Sequence, residues 1–424
     1  MKYQKKVLKN GMRVVVVPMK DTNTVTVLTL VEAGSKYEEK NKNGISHFLE
    51  HMSFKGTTRR PSPAIIHKEL DSLGAESNAF TAQEITAYYA KAEYHQYDRI
   101  LDVISDMYLN PIFPEAEIQK EKGVILQEIS MNEDLPQRDV GRLLNKLLYG
   151  DQPAGWSVLG PAEVIRDMKR EDFIKYRKQH YVAKATTVVI AGKCEPKKVF
   201  KDVEAVFKKI PTTPKTPKKK VKEVQKTPQL LIKQKKTDQA HLILGFRAYS
   251  IFDKRLPILK VLAAVLGRGM SSRLFHKLRD EMGACYYVHA QTDRYTDHGT
   301  FEVAVGVNSK RVNEVVEVIM KELKRFTVEL VEDSELKKTK NLMIGRMYLG
   351  LETSDSLAEF YGIQEILKGS IKTPEQSKSE IEQVTAKDIM KVAKEIFQNK
   401  NLNLAVIGDI KNEKNLKKVL LWGK

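Results

Sequence analysis

The stretch "NTVTVLTLVEAGSKYEEKNKNGISHFLEHMSFKG", residues 23–56, contains a strand pattern, a turn and a helix pattern in succession. Its first part alternates apolar and polar residues, as a strand with one buried face does. After a turn containing glycine, apolar residues return at helical spacing around His47, Glu50 and His51. A strand followed directly by an amphipathic helix predicts two packed layers, a sheet and its covering helix.

The same order of elements recurs in the second half of the chain. The strand-like "QAHLILGFRAYS" precedes the helical pattern "LPILKVLAAVLGRGMSSRLF". Gly56 then corresponds to Gly269, 213 residues later, and the strand ending at Gly192 corresponds to the one ending at Gly408, 216 residues later. Such closely matching offsets indicate an internal duplication of a whole domain.

Length and linker composition predict where the two domains divide. At 424 residues the chain is longer than one hydrophobic core usually supports. The stretch "PTTPKTPKKKVKEVQKTP" is rich in Pro and Lys and has little to bury. We therefore predict an N-terminal domain over 1–212, a linker over 213–228 and a homologous C-terminal domain over 229–424.

The fold class predicted for both domains is α+β. Strands such as "EITAYYAKA" and "GTFEVAVGV" suit a mostly antiparallel sheet with helices on one face. Two homologous α/β sandwiches are favoured over parallel doubly wound domains. Under the duplication, His47, Glu50 and His51 of the first half correspond to Lys260, Ala263 and Ala264, so the second copy lacks the polar trio.

Composition restricts the possible partners and location. The net charge of +18 comes from lysines spread among many acids, and only "KTPKKKVKEVQK" forms a basic block. Nucleic acid is therefore an unlikely partner, although polyanion binding through this block stays open. No apolar run approaches the ~20 residues needed to cross a bilayer, and no export signal is evident. The expectation is a cytoplasmic protein with no membrane partner.

The polar trio predicts a zinc site. Residues at i, i+3 and i+4 share one helix face. Two histidines one turn apart can bind zinc, and a glutamate between them can act as general base, which is the inverted HxxEH order. A third ligand is needed; Glu121 and Glu128, seven residues apart, are candidates, but spacing alone does not single out Glu128 from the 54 acids. A buried structural histidine, a surface His–Glu pair and a chance match all remain open.

The chain as a whole resembles the inverted-motif zinc peptidases, the family of pitrilysin, insulin-degrading enzyme and the mitochondrial processing peptidase, in its short two-domain branch. The resemblance rests on "NGMRVVVVP", "EAGSKYE", "GISHFLEHMSFKGT", "ESNAFTAQEITAYY", "EKGVILQEISMNED", "GWSVLGP" and "GRGMSSRLFHKLRDEMGACYYV". It implies that Glu128, 77 residues after His51, is the third zinc ligand, and that Glu121 supports a ligand histidine.

The resemblance also implies residues that bind substrate. Arg279 and Tyr286 of "LRDEMGACYY" match a pair that holds the substrate and stabilises the transition state. Asn78 and Ala79 of "SNAFT" match an edge strand on which the substrate lies as an added strand.

The function implied is that of a zinc metalloendopeptidase with one Zn²⁺ per chain. Zinc-activated water, with Glu50 as base, would hydrolyse peptides or unfolded protein segments inside a dimeric chamber. Because this chain has both the zinc motif and the Arg/Tyr pair, a homodimer is expected, in which Arg279 and Tyr286 complete the partner's site. The alternative is a non-catalytic assembly or core-type subunit of the same fold.

Overall fold

The computed structural model describes residues 2–411 and 413–421. Within it the chain forms two compact units, each assembled from three segments. Unit 1 comprises Met1–Ile129, Ser157–Lys219 and Met347–Glu375, and unit 2 comprises Ser130–Trp156, Lys220–Arg346 and Gln376–Lys424.

The strands are β1 (Gln4–Val7), β2 (Arg13–Pro18), β3 (Thr24–Val31), β4 (Glu76–Thr81), β5 (Thr86–Glu93), β6 (Thr186–Gly192), β7 (Gln229–Gln234), β8 (Gln239–Ala248), β9 (Cys285–Arg294), β10 (Gly299–Asn308) and β11 (Leu402–Gly408).

The helices are α1 (Ile45–Ser53), α2 (Pro63–Ser72), α3 (Tyr97–Leu109), α4 (Glu115–Asp134), α5 (Pro136–Tyr149), α6 (Ala162–Asp167), α7 (Arg170–His180), α8 (Pro196–Val206), α9 (Leu256–Gly267), α10 (Val312–Val328), α11 (Asp333–Leu349), α12 (Ser354–Lys368), α13 (Pro374–Glu382), α14 (Ala386–Ile396) and α15 (Glu413–Val419). A π-helix covers Phe275–Glu281.

The two sheets have the same strand arrangement, except that the unit 1 sheet has β1 as an additional edge strand. In unit 1 the order is β1-β2-β6-β3-β5-β4, and in unit 2 it is β7-β11-β8-β10-β9. The pairs β2–β6 and β7–β11 are parallel, and the other neighbours are antiparallel. The predicted fold class, two α+β domains with mostly antiparallel sheets, is confirmed.

Both faces of the unit 1 sheet are covered, although the sequence predicted helices on one face. Residues of α1, α3, α7 and α8 pack on the first face in the main core. Helix α12, from the second half of the chain, packs on the other face through Leu357 and Tyr361 against Leu28 and Leu30. Gly362 makes this approach possible, because an added Cβ would lie 2.6 Å from a Leu30 methyl carbon.

Unit 2 likewise contains a helix from the other half of the chain. Its main core includes α9, α10 and α14, while α5, from the first half, covers the opposite face of the sheet. There Val140 and Leu144 contact Ile243 and Ala405. Gly245 lies so close to Leu144 that an added Cβ would be 2.8 Å from its methyl carbon.

Each unit contains a helix from the other half of the chain, so a single boundary in the sequence does not separate the two units. The chain changes unit at Lys219/Lys220, inside the predicted linker 213–228, which has no helix or strand. It also changes unit four more times, since each sheet buries its second apolar face under a helix from the other half. The domain ranges proposed from sequence therefore stay a prediction about the duplicated halves.

Within the described residues, no helix is both long enough and apolar enough to cross a membrane.

Overpacking at Gly362 tests the exchanged helix. Gly362→Leu would push its Cβ into Leu30 and Val189, and we expect the free energy of unfolding to fall by ~1–3 kcal/mol. Gly345→Ala in α11, where an added Cβ meets nothing within 4 Å, should instead stabilise the protein by up to ~1 kcal/mol. Denaturant unfolding measures both; an unchanged midpoint for Gly362→Leu contradicts the packing.

Candidate metal centre

The helix that carries the histidines is fixed at its N-terminus by a buried acid. The carboxylate of Glu38 accepts hydrogen bonds from the N–H groups of Gly44 (2.7 Å) and Ser46 (2.8 Å) and from the Asn43 amide (2.8 Å). It thus satisfies donors that the first turn of a helix leaves free. Gly44 has a φ of 97°, and an added Cβ would lie 2.6 Å from the carbonyl oxygen of Leu159. This turn therefore requires glycine.

Helix α4 brings the two acids to α1. Its buried residues are Ile118, Glu121 and Ile125, a spacing of three and four that forms one stripe along the helix. Ile118 and Ile125 belong to the main core of unit 1. Glu128 lies seven residues after Glu121, two turns further along the same face.

Three possible ligand atoms meet between these helices. Nε2 of His47 and Nε2 of His51 are 3.2 Å apart, and Oε2 of Glu128 is 3.5 Å from the first and 3.8 Å from the second. A tetrahedral zinc ion with bonds of about 2.0–2.2 Å separates its ligand atoms by about 3.3–3.6 Å. The residues present fit zinc, and within the described part of the chain they are the one group of this kind.

The contacts of His51 favour a positive charge among these atoms. Nδ1 of His51 lies 2.8 Å from Oε1 of Glu121 and carries the proton of this bond, since a carboxylate only accepts. Burial opposes a charge on His51, but Glu121, Glu50 and Glu128 outweigh this and raise its pKa. When the ring is neutral, Nε2 presents a lone pair. That lone pair faces the Glu128 carboxylate and the second imidazole. Atoms of this kind repel one another unless they share a positive charge.

Burial and neighbouring charges set the protonation of these groups. Burial, with the nearby His51, lowers the pKa of His47 to about 3, so its ring is neutral and able to bind metal. Burial opposes ionisation of Glu121, but its hydrogen bonds to His51 and Lys55 outweigh this and lower its pKa. Lys55 Nζ lies 2.6 Å from Oε2 of Glu121. Lys55 therefore holds the carboxylate that orients His51.

Glu50 is held by a residue of the neighbouring edge strand. The Thr81 hydroxyl lies 2.6 Å from Oε2 of Glu50 and donates to it. Thr86, 3.5 Å from the Thr81 hydroxyl, donates its own proton to the carbonyl of Ala33. Burial raises the pKa of Glu50, although the bond from Thr81 opposes that rise.

The predicted substrate strand lies next to this group. Thr81 ends β4, the last strand of its sheet, which contains Asn78 and Ala79. Among the described residues, β4 pairs only with β5. The Asn78 side chain accepts a hydrogen bond from the Ala79 N–H at 2.9 Å, so an added strand would have to replace this local contact.

Arg279 and Tyr286 lie in unit 2 and contact each other. Arg279 Nη1 donates to the Tyr286 carbonyl at 3.0 Å, and its guanidinium lies 5.3 Å from the centre of the Tyr286 ring. Arg279 lies in the π-helix, and the Tyr286 side chain is 73% exposed. Both are accessible donors, and their role stays a prediction.

Sequence reasoning missed Glu38, Lys55 and Thr81. Lys55 follows His51 by four residues, but it lies beyond the end of α1 at Ser53, so helical spacing alone does not place it beside Glu121. Thr81 follows the predicted Asn78 and Ala79, but its contact with Glu50 depends on how the sheet edge packs against α1. Nothing in the spacing of Glu38 indicates its hydrogen bonds to the helix N-terminus.

Comparison with known proteins identifies the family. A model described as Insulinase (Peptidase family M16) matches residues 13–162, and one described as Peptidase M16 inactive domain matches residues 167–343. The chain belongs to peptidase family M16. The prediction that the chain is a member of this family, in its two-domain branch, is thereby confirmed.

Related proteins match along nearly the whole chain. A Bacillus subtilis protein called uncharacterized zinc protease YmxG is 33% identical over 92% of this chain and 94% of its own length. An uncharacterized zinc protease of Rickettsia bellii is 32% identical over 95% of this chain and 96% of its own length.

Solved structures show the same fold. A protease from Helicobacter pylori superimposes with a TM-score of 0.89 at 23% identity, over 96% of this chain and 99% of that one. A structure from Pseudomonas fluorescens described as a peptidase M16 inactive domain gives 0.89 at 15% identity, over 97% and 99%. At these identities the likeness supports the fold alone.

Replacing Lys55, whose ammonium group pairs with Glu121, tests the contacts that support His51. In Lys55→Met the Glu121 carboxylate loses its ion pair and fixes His51 less firmly, so zinc affinity should fall ~10–100-fold. Competition with a chromogenic chelator measures this. Lys68→Met, at an exposed position of α2, is the control and should bind zinc like the wild type. Equal affinity in both variants would show that Lys55 has no such role.

Proposed function

We propose that this chain is a zinc-dependent endopeptidase, with His47, His51 and Glu128 as the zinc ligands and one zinc ion per chain. The observation that carries the proposal is the convergence of three ligand atoms at separations of 3.2–3.8 Å. Membership of a peptidase family and the naming of relatives as zinc proteases support it. When bound, zinc supplies an open coordination position and a Lewis acid that makes water a nucleophile near neutral pH.

Glu50 is the proposed general base. It lies on the same helix face as the two histidines. Its pKa is raised and so lies closer to neutral pH, where a carboxyl group can both accept and return a proton. Thr81 fixes one carboxylate oxygen and leaves the other to receive a proton from the attacking water. Glu50 would then pass that proton to the leaving amine.

The proposed substrates are peptides or unfolded protein segments bound along β4. An extended chain paired with the free edge of this strand would be held by main-chain hydrogen bonds, which accept many sequences. Because the last residue of β4 bonds to Glu50, a peptide laid along this edge runs towards the base. Folded proteins, which rarely offer an extended free segment, would be poor substrates.

Arg279 and Tyr286 are proposed to complete the site of a second copy in a homodimer. Cleavage of a peptide creates an oxyanion, and a guanidinium and a phenol are suitable donors for it or for the nearby chain. The pair is accessible, and each chain contains both sets of residues, so two identical chains can form two complete sites in a shared chamber.

Replacing Glu50 separates metal binding from catalysis. Glu50→Gln keeps the three ligands and should retain stoichiometric zinc, while cleavage falls ~10²–10⁴-fold with the loss of the base. Mass spectrometry of a mixed peptide library, with and without chelator, measures cleavage, and metal analysis measures zinc. Glu163→Gln, an exposed acid of α6, is the control. Full activity in Glu50→Gln excludes it as the base, and a wild-type protein without zinc excludes the metalloenzyme.

Mixing two inactive variants tests the shared site. If each site combines Glu50 of one chain with Tyr286 of the other, co-expressed Glu50→Gln and Tyr286→Phe chains should recover about a quarter of wild-type activity, because half the dimers are mixed and each has one intact site. Each variant alone serves as the baseline. Activity that stays at the baseline while mixed dimers are isolated means that both residues act within one chain.

A further inference from the structure

Unit 2 contains a cavity of about 230 Å³ that no catalytic role uses. It lies between the exchanged helix α5 and the strands at one edge of the sheet, and all its lining residues belong to unit 2. Elsewhere along α5 the interface is apolar and closed, with Leu144 packed against Ile243 and Ala405. The open space therefore begins where α5 passes over the edge strand β9 and its neighbour β10.

The helix provides room at this point. Gly141 lines the cavity, and an added Cβ there would meet nothing within 4 Å. Glycine inside a helix costs about 1 kcal/mol relative to alanine. Gly141 therefore leaves space on this face of α5 that a larger side chain would fill.

The opposite wall is polar. Alternate residues of β9 face the cavity, namely Tyr287, His289, Gln291 and Asp293, and β10 adds Glu302. Glu302 is 6% exposed. Its carboxylate accepts from the Thr300 hydroxyl at 2.7 Å and lies 3.5 Å from the Gln291 amide. Among the residues described, no lysine or arginine lines this space.

The charge of the cavity depends on two carboxyl groups, those of Glu302 and Asp293. Burial and the neighbouring Asp293 raise the pKa of Glu302 to about 7, and burial also raises the pKa of Asp293 against the effect of Arg294. Arg294 follows Asp293 in the strand and does not line the cavity. Burial lowers the pKa of His289, which disfavours a positive charge on its ring. Two carboxyl groups that disfavour each other's ionisation favour a cation beside them.

We propose that this cavity binds one organic cation, an ammonium or guanidinium group on a short aliphatic chain. Its charged end would lie against Glu302 and Asp293, with the amide of Gln291 beside it, and its methylene groups would contact the apolar wall formed by Val140, Ile243 and Ala304. Pairing with a cation offsets the cost of keeping a carboxylate buried.

A divalent metal fits this cavity less well. His289, Asp293 and Glu302 do not form a three-ligand cluster, whereas His47, His51 and Glu128 do within the described chain. The cavity also has apolar walls that a metal ion would not use. The cation could be a free amine or a basic side chain of a peptide, since both present the same charged group.

Isosteric probes test the charge requirement. Isothermal titration at a pH of about 8, above the pKa of about 7 for Glu302, compares n-butylguanidinium with n-butylurea, which has a similar shape and no charge. The wild type should bind the guanidinium at least about ten-fold more tightly. N-acetyl-arginine amide and N-acetyl-citrulline amide form the second arm. Binding of n-butylguanidinium alone indicates a small-molecule ligand, and binding of both cations indicates that a peptide side chain also fits.

Variants locate the binding. Glu302→Gln and Gly141→Leu should each weaken n-butylguanidinium binding at least ten-fold, the first by removing charge and the second by filling the space. Glu317→Gln, an exposed acid of α10, and Gly141→Ala are the matched controls and should bind as the wild type does. Thermal unfolding verifies that every variant is folded.

Three results would overturn the proposal: no binding by the wild type at millimolar concentrations, equal affinity for the urea, or full affinity in folded Glu302→Gln. Peptidase activity is not part of this assay, so the outcome is independent of the proposed function.

Discussion

The approach of α1 to α4 is the constraint on which the rest of the site depends. Helix α1 is held at its N-terminus by Glu38, and α4 is held by the apolar stripe that includes Ile118 and Ile125. Only when both are fixed do the ligand atoms of His47, His51 and Glu128 come within bonding range of one ion. Burying such groups without a shared cation would cost several kcal/mol, so the protein accepts a local penalty that metal binding can offset.

The side chains that contact His51 and Glu50 influence the protonation of these two residues. Lys55 keeps Glu121 ionised, Glu121 accepts a hydrogen bond from Nδ1–H of His51, and the opposite nitrogen of that ring faces the other candidate ligands. Thr81 does the equivalent for Glu50 from the edge strand. Sheet edge and helix are therefore coupled through one short hydrogen bond, which links the place where a peptide could bind to the place where a proton could move.

The two units show how one scaffold can hold different chemistry. Their sheets share strand order and direction, yet α9 has Lys260, Ala263 and Ala264 where α1 has the polar trio. In unit 2 the polar groups lie instead on the sheet face beneath α5, around Glu302. Both local sites are acidic, although the whole chain has a net charge of +18. Net charge thus describes solubility and association better than it describes a site.

The sequence by itself determined the duplicated α+β architecture, the inverted histidine motif and, through its resemblance to a family, the choice of Glu128 as the proposed third ligand. These follow from periodicity and fixed spacing, which are local properties of the chain. The tertiary structure decided the exchange of α5 and α12, the contacts of Glu38, Lys55 and Thr81, and the cavity beside Gly141. Each of these depends on which faces of distant elements meet. No short-range pattern specifies those contacts, because they form when each sheet buries its second apolar face.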